Sequence, residues 1–387
     1  MKTLIDKFAG KMVKAGLAEE GAPLIAGMDD IIYWNRSDPI QEKLSPLFDV
    51  LNINSLIFCE PAEPYRSILA YLAEKEPGDA LKPNDTETRI FLHELPLAAD
   101  FSLQNMVSAL SKRKLVIVAG RSIVTTGTVT PEQAFVAFSS VCFAASVKLV
   151  LDILTLHRNG KRDKKGERII ALMLEMLDIG GKATSFSLEK GLLKDERRVL
   201  EAMFEAGRAT VQSGLVDSYF GNISYRLGDT LYISQSGSSL DELEGRIDPC
   251  PLDGSSSAGI TASSELPAHM KIAGRGPGTA VLHGHPKFSV ALSMDCGDMD
   301  CGFRGRCHTH CPKKREVAGF PVVPGEVGAG PKGLHKTLPP ALEKSPAAIV
   351  FGHGVFSVGH GDFVEAFEAL SLVESEAMHI VSKQIFG

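Results

Sequence analysis

The stretch AAIVFGHGVFSVGHGDFVEAFEALSLVESEAMHIV, residues 347–381, reads as a short β-branched strand, a Gly-containing turn, a second short strand and a long apolar helix. An earlier stretch, LVIVAGRSIVTTGTVTPEQAFVAFSSVCFAASVKLV, residues 115–150, has the same order. Ile117, Val118, Gly120, Gly127, Ala134, Phe135 and Ala137 match Ile349, Val350, Gly352, Gly359, Ala366, Phe367 and Ala369 at one constant offset. Upstream, RIFLHELP from Arg89 parallels TAVLHGHP from Thr279. Two matched blocks in the same order predict a duplicated chain.

A chain of 387 residues is long for a single core, and the repeat divides it. The expected division is a first domain over 1–156, a linker and helix over 157–190, and a second domain over 191–387. The charged, Gly-bearing HRNGKRDKKGER from His157 marks the linker. The second domain opens on KDERRVLEAMFEAGRATVQSGL, where Leu200, Met203, Phe204 and Gly207 recur at helical spacing; the strands NISYRL, TLYISQ and AVLHGH follow. The predicted class is α/β (α+β layered), two tandem domains, each a central, mostly antiparallel sheet flanked by helices.

Composition narrows the function. A hydrophobic fraction of 44% and a charged fraction of 23% belong to a soluble globular protein, and a net charge of -6 argues against a nucleic-acid binder. MKTLIDKFAGKMVKAGLAEEGAP mixes charges among its apolar positions, so it reads as an amphipathic helix rather than a secretory signal. Ala134 to Leu154 is apolar enough to resemble a membrane span, but Lys148 and Asp152 interrupt it, and a buried helix is expected. Seven cysteines without an export signal predict reduced thiols or metal ligands and a cytoplasmic protein.

The chemistry sits in the second half. His283 and His285 lie two apart at the end of an apolar strand, so both imidazoles can face one way. His353 follows another strand between two glycines. Three neutral imidazoles with one open position form the ligand set of a catalytic zinc. Glu265, after Ser263 and Ser264 at a helix start, is either a cap partner or an acid/base. GNISYR (221–226) and SQSGSS (234–239) offer Gly-backed turns with amide and hydroxyl donors suited to phosphate.

GNISYR, SQSG, SSELPAHMKI, AVLHGHP and FGHGVFSVG, in this order, resemble the class II aldolase and adducin family over roughly residues 195–387. The resemblance implies a metal-dependent lyase that cleaves or forms a carbon–carbon bond through an enediolate, on a small, phosphorylated hydroxy-carbonyl compound. Epimerase, decarboxylase or adducin-like interaction roles are the alternatives on the same scaffold. It makes His283, His285 and His353 the ligands of a divalent metal such as zinc and Glu265 the acid/base. Asn222, Ser236, Gly237, Ser263 and Ser264 fall at substrate-phosphate positions. It also implies a homo-oligomer with a small-molecule substrate; a tandem copy would make a dimer resembling a tetramer, and the buried reading of 134–154 leaves no membrane partner expected.

Three departures stand out. Gln235 takes a place where the family often has Pro, and no tyrosine follows Tyr232. The segment 294–338 is enlarged and carries Cys296, Cys301, Cys307 and Cys311, a candidate for a second zinc or an iron–sulfur cluster. In the first half, Leu95 and Arg121 stand where His285 and His353 would, so that half is expected to be a degenerate, non-catalytic copy.

Overall fold

Strand pairing gives the two halves the same plan. A computed structural model describes residues 1–387 except 77, 87, 178–185, 218, 256–259 and 329; part of the expected linker therefore lies outside the described residues. One unit comprises Met1–Ile153 with Arg162–Met176, and the other Leu154–Lys161 with Leu177–Gly387.

The first unit contains strands β1 (Leu24–Met28), β2 (Ile32–Trp34), β3 (Ser55–Cys59), β4 (Ala80–Leu81), β5 (Leu95–Ala98), β6 (Leu115–Val118) and β7 (Ser122–Gly127), in the sheet order β2-β1-β3-β7-β6-β5-β4. Its helices are α1 (Lys2–Lys14), α2 (Gln41–Leu44), α3 (Pro46–Val50), α4 (Tyr65–Lys75), α5 (Leu103–Leu110), α6 (Pro131–Arg158, whose last turn falls to the other unit) and α7 (Lys164–Met176). Alternate residues of its strands, such as Leu24, Ala26, Val116 and Val118, pack with Leu44, Leu47 and Met106 from α2, α3 and α5. The apolar helix α6 is a core element, with 83% of its most hydrophobic window buried.

The second unit contains β8 (Asn222–Leu227), β9 (Thr230–Ser234), β10 (Ile247–Pro251), β11 (Thr279–Gly284), β12 (Arg315–Val317), β13 (Phe320–Val323), β14 (Ala347–Val350) and β15 (Gly354–His360). Their order is β10-β9-β8-β11-β15-β14-β13-β12. Apart from the added edge strand β10, it repeats the first sheet, down to the one parallel pair, β5 with β6 and β13 with β14. Helices α8 (Glu196–Gln212), α9 (Leu266–Ala273), α10 (Lys287–Met294), α11 (Leu334–Leu342) and α12 (Val364–Phe386) complete the unit. Ala268 and Ile272 of α9 and Leu334, Leu338 and Leu342 of α11 cover Val281, Val350, Phe356 and Val358 of the sheet. Full burial of each such large apolar side chain contributes roughly 1.5–3 kcal/mol.

Register makes the comparison residue-specific. Phe58 pairs with Val124 in the first unit, and His283 with Phe356 in the second. Ser55 pairs with Gly127 as Ala280 pairs with Gly359. Continued outward, Glu60 and Pro61 fall at His285 and Pro286. Arg121 and His353 each end a four-residue turn, with N–H donated to the carbonyls of Val118 and Val350 respectively. The glycine before each takes a positive φ, 69° at Gly120 and 63° at Gly352, which a residue with a Cβ adopts at a cost.

The pairing of RIFLHELP with TAVLHGHP is therefore corrected. Residues 88–92 form a π-helical turn, and His93 (φ 65°) leads into β5, the counterpart of β13 rather than of β11. Ala318 (φ 53°) holds the same left-handed place before β13. Shared letters misled here because a strand's place is set by its hydrogen-bonded neighbours, and the true counterpart of β11, SLIFC, contains no histidine.

One buried carboxylate ties α12 to α10. Glu374 accepts the N–H groups of Phe288 (2.7 Å) and Ser289 (2.8 Å), first-turn amides that lack an intrahelical partner. Burial raises its pKa to about 7, against these hydrogen bonds. The folded protein thus holds the proton more tightly than the unfolded chain, and this group's contribution to stability falls as pH climbs from its ordinary 4.5 through about 7. Glu374→Gln, which cannot titrate, is expected to lose less stability than the parent between about pH 5 and about pH 8 in urea unfolding.

Candidate active site

His283, the penultimate residue of β11, lies on the face that Val281 presents to α9, and its ring stacks on Phe356 across the strand pair at 4.0 Å between centroids. Its Nδ1 donates to the Val355 carbonyl at 3.0 Å. A neutral ring then keeps its lone pair on Nε2. His285 lies just past the strand, stacked against Phe220, with its Nε2 2.9 Å from that of His283. Two such nitrogens at this separation need one shared proton or one shared cation between them. His353 arrives from the β14–β15 turn, and ligand nitrogens of all three rings lie within 4.8 Å of one another.

The rings are held neutral. Burial pushes His285 and His353 down to about 3; the neighbouring Lys287 assists at His285, while Glu265 opposes the shift at His353. Burial, followed by the charge of His285, puts His283 well below the ordinary range. Each neutral ring keeps one lone pair, and on His283 the Nδ1–H leaves it on Nε2, facing the other two rings.

Glu265 occupies the position before α9 but caps nothing with its side chain. Its Oε2 accepts the Asn222 amide at 2.6 Å and lies 3.4 Å from His283 Nε2. Its Oε1 is buried without a hydrogen bond among the described residues and lies 3.7 Å from His353 Nε2. Burial raises the carboxyl pKa, opposed by His353 and then by Asn222. An unbonded buried oxygen beside three neutral imidazoles whose ligand nitrogens lie within 4.8 Å of one another fits a divalent cation, and this donor set suits zinc.

The remaining predicted residues divide between two environments. The loops 234–237 and 261–264 are joined by a Gln235–Ala262 bridge, by Ser236 N–H to the Thr261 carbonyl and by Ser263 N–H to the Ser234 carbonyl. Ser236, Gly237 and Ser264 are exposed there, whereas Ser263 is buried and accepts the Glu265 N–H. Asn222 is buried, with its amide committed to Glu265 and His269.

Residues 201–380 match the model of the Class II Aldolase and Adducin N-terminal domain. The second unit carries a class II aldolase and adducin domain. Among solved structures, the chain is similar to L-fuculose-1-phosphate aldolase from Thermus thermophilus (26% identity, 49% of this chain and 96% of that one, TM-score 0.40). It is also similar to a sugar-phosphate aldolase from Thermotoga maritima (20%, 48% and 94%, 0.34) and to the N-terminal Class II Aldolase domain of a conserved protein from Thermoplasma acidophilum (13%, 51% and 99%, 0.35). No curated protein matches the chain.

Sequence reading missed His269 and Ser224 beside this site, and Glu374 between α10 and α12. The signal for His269 was its place four residues after Glu265, on the same helix face. The cysteine-bearing loop runs between α10 and β12, since β12, β13 and α11 have counterparts in β4, β5 and α5. Cys296, Cys301, Cys307 and Cys311 are free and partly exposed there; among the described residues, only the three histidines bring three or more ligand atoms together.

Gly354 sets the spacing of the site. A Cβ built there would lie 2.4 Å from the Gly284 carbonyl oxygen, 2.7 Å from His283 Cε1 and 2.9 Å from His285 Cδ2. Gly354→Ala is expected to push the two rings apart and weaken zinc binding by roughly tenfold or more, read by competition with a chromophoric chelator.

Proposed function

We propose that the second unit is a divalent-metal-dependent lyase of the class II aldolase type, acting on a small, phosphorylated hydroxy-carbonyl compound. The observation that carries the reading is the buried Glu265 carboxylate, 3.4 and 3.7 Å from Nε2 of two rings in a group of three neutral histidines. The family match over 201–380 supports the same chemistry.

Breaking a carbon–carbon bond beside a carbonyl leaves an enediolate, whose charge a divalent ion held by His283, His285 and His353 would stabilise as a Lewis acid. Glu265 is the carboxylate within reach of that group among the described residues, and it takes and returns the proton on Oε1, the oxygen that no hydrogen bond occupies. The walls of the site, Phe220 and Phe356 among them, keep water from the rings. Gly237 and Ser264, exposed on two joined loops, hold the substrate phosphate through their N–H groups and the Ser264 hydroxyl, while Ser236, which donates to the carbonyls of Thr261 and Ala262, fixes the loop beside them.

The first unit keeps the sheet without this chemistry. Phe58, Glu60 and Arg121 occupy the three ligand positions, and Leu24 stands at that of Asn222, because Leu24 pairs with Phe58 as Asn222 pairs with His283. We assign it no catalytic metal.

Elemental analysis of zinc-replete protein tests the reading, with the His283→Ala, His285→Ala double variant beside the parent. The expected loss is one ion per chain; any ion still held would belong to the cysteine loop. Deuterium exchange into dihydroxyacetone phosphate, followed by proton NMR, reads the half-reaction without a partner aldehyde. Glu265→Gln should keep the ion and slow this exchange by roughly 10²- to 10⁴-fold. A parent without metal, or a double variant that keeps all of it, ends the lyase reading.

A further inference from the structure

Behind Glu265 runs a row of buried polar side chains that the proposed chemistry leaves unused. Ser224 of β8 and His269 of α9 are fully buried, and Asn222 is 6% exposed. Ser224 Oγ lies 2.7 Å from His269 Nδ1, His269 Nε2 lies 2.5 Å from Asn222 Oδ1, and Asn222 Nδ2 lies 2.6 Å from Glu265 Oε2.

The direction of each bond follows from what each group can give. An ionised carboxylate only accepts, so Asn222 donates from Nδ2 and turns Oδ1 toward His269. His269 must then donate from Nε2. Burial keeps its ring neutral, so Nδ1 accepts and the Ser224 hydroxyl donates. An isolated Asn amide can turn over and face Glu265 with its oxygen; the His269 N–H makes that orientation costly.

We infer that His269 is a positioning residue: through Asn222 it holds an N–H against one oxygen of Glu265 and so aims the other at the histidine group. The sheet itself does not require the row. In the first unit, Leu24 and Ala26 stand at the places of Asn222 and Ser224, and β1 pairs with β3 in the register in which β8 pairs with β11. The strand members of the row and the three histidines are all replaced there while the strands persist.

The role of His269 in catalysis rests on the lyase reading, but the hydrogen-bond direction does not, and the experiment separates them. In protein labelled with ¹⁵N-histidine, His269, assigned by its absence from the His269→Gln spectrum, is expected to be neutral with its proton on Nε2. A proton on Nδ1 overturns the inference whatever the activity. His269→Leu should retain its zinc by elemental analysis and slow deuterium exchange into dihydroxyacetone phosphate roughly 10- to 100-fold, in kcat rather than KM. His269→Gln, whose amide N–H reaches the place of Nε2, should restore most of that rate. Exchange within about twofold of the parent in His269→Leu, or loss of zinc from it, overturns the positioning role. A parent that exchanges nothing fails the lyase reading instead, and the tautomer still decides the bond.

Discussion

The site depends on burying a carboxylate among imidazoles. Removing Glu265 and three histidines from water is unfavourable for each of them, and a chain with no use for the arrangement would fill the space with apolar side chains. Here the polarity is organised instead. Backbone carbonyl 355 sets the tautomer of His283, Asn222 takes one oxygen of Glu265, and Phe356 and Phe220 flank the rings. What remains unsatisfied converges on one point.

The first unit shows how little of the sheet depends on that arrangement. Apart from β10, strand order is the same in both sheets, as is the register around β3 and β11, yet an aromatic, a carboxylate and a guanidinium stand in the first unit where the second has its three histidines. Backbone pairing needs N–H and C=O groups, which every residue but proline supplies, so a fold survives side-chain changes that dismantle its chemistry. The family match covers 201–380, whereas the common strand order extends to both units.

Much of this was legible in the sequence, and the failures have physical causes. The duplicated strand-turn-strand-helix was readable because glycines at φ-positive turns and the apolar face of a long helix constrain letters strongly. The histidine pair was readable because a strand places alternate residues on one face. β3 was not, since SLIFC shares only a general apolar character with TAVLHG, and so His93 was set against His283 when pairing puts Phe58 there. Asn222 was read as a phosphate donor from its Gly-backed turn; its commitment to Glu265 depends on α9 folding over β8, which no local pattern encodes. His269 and Glu374 were hidden for the same reason, as single polar residues on helices whose partners lie far away in the chain.

The central position of β11 has a consequence for how the protein is made. This strand is hydrogen-bonded to β8 on one side and to β15 on the other, and β15 is the last strand of its sheet. Contacts between strands so distant in sequence close slowly, because the entropy of a long loop must be overcome first. During synthesis the chain presents His283 and His285 well before the hairpin bearing His353 emerges. Until that hairpin docks, the two earlier histidines have neither their third companion nor the Val355 carbonyl that orders the first of them. The finished centre is therefore a late product of folding, and a metal bound there would report that the whole sheet has closed.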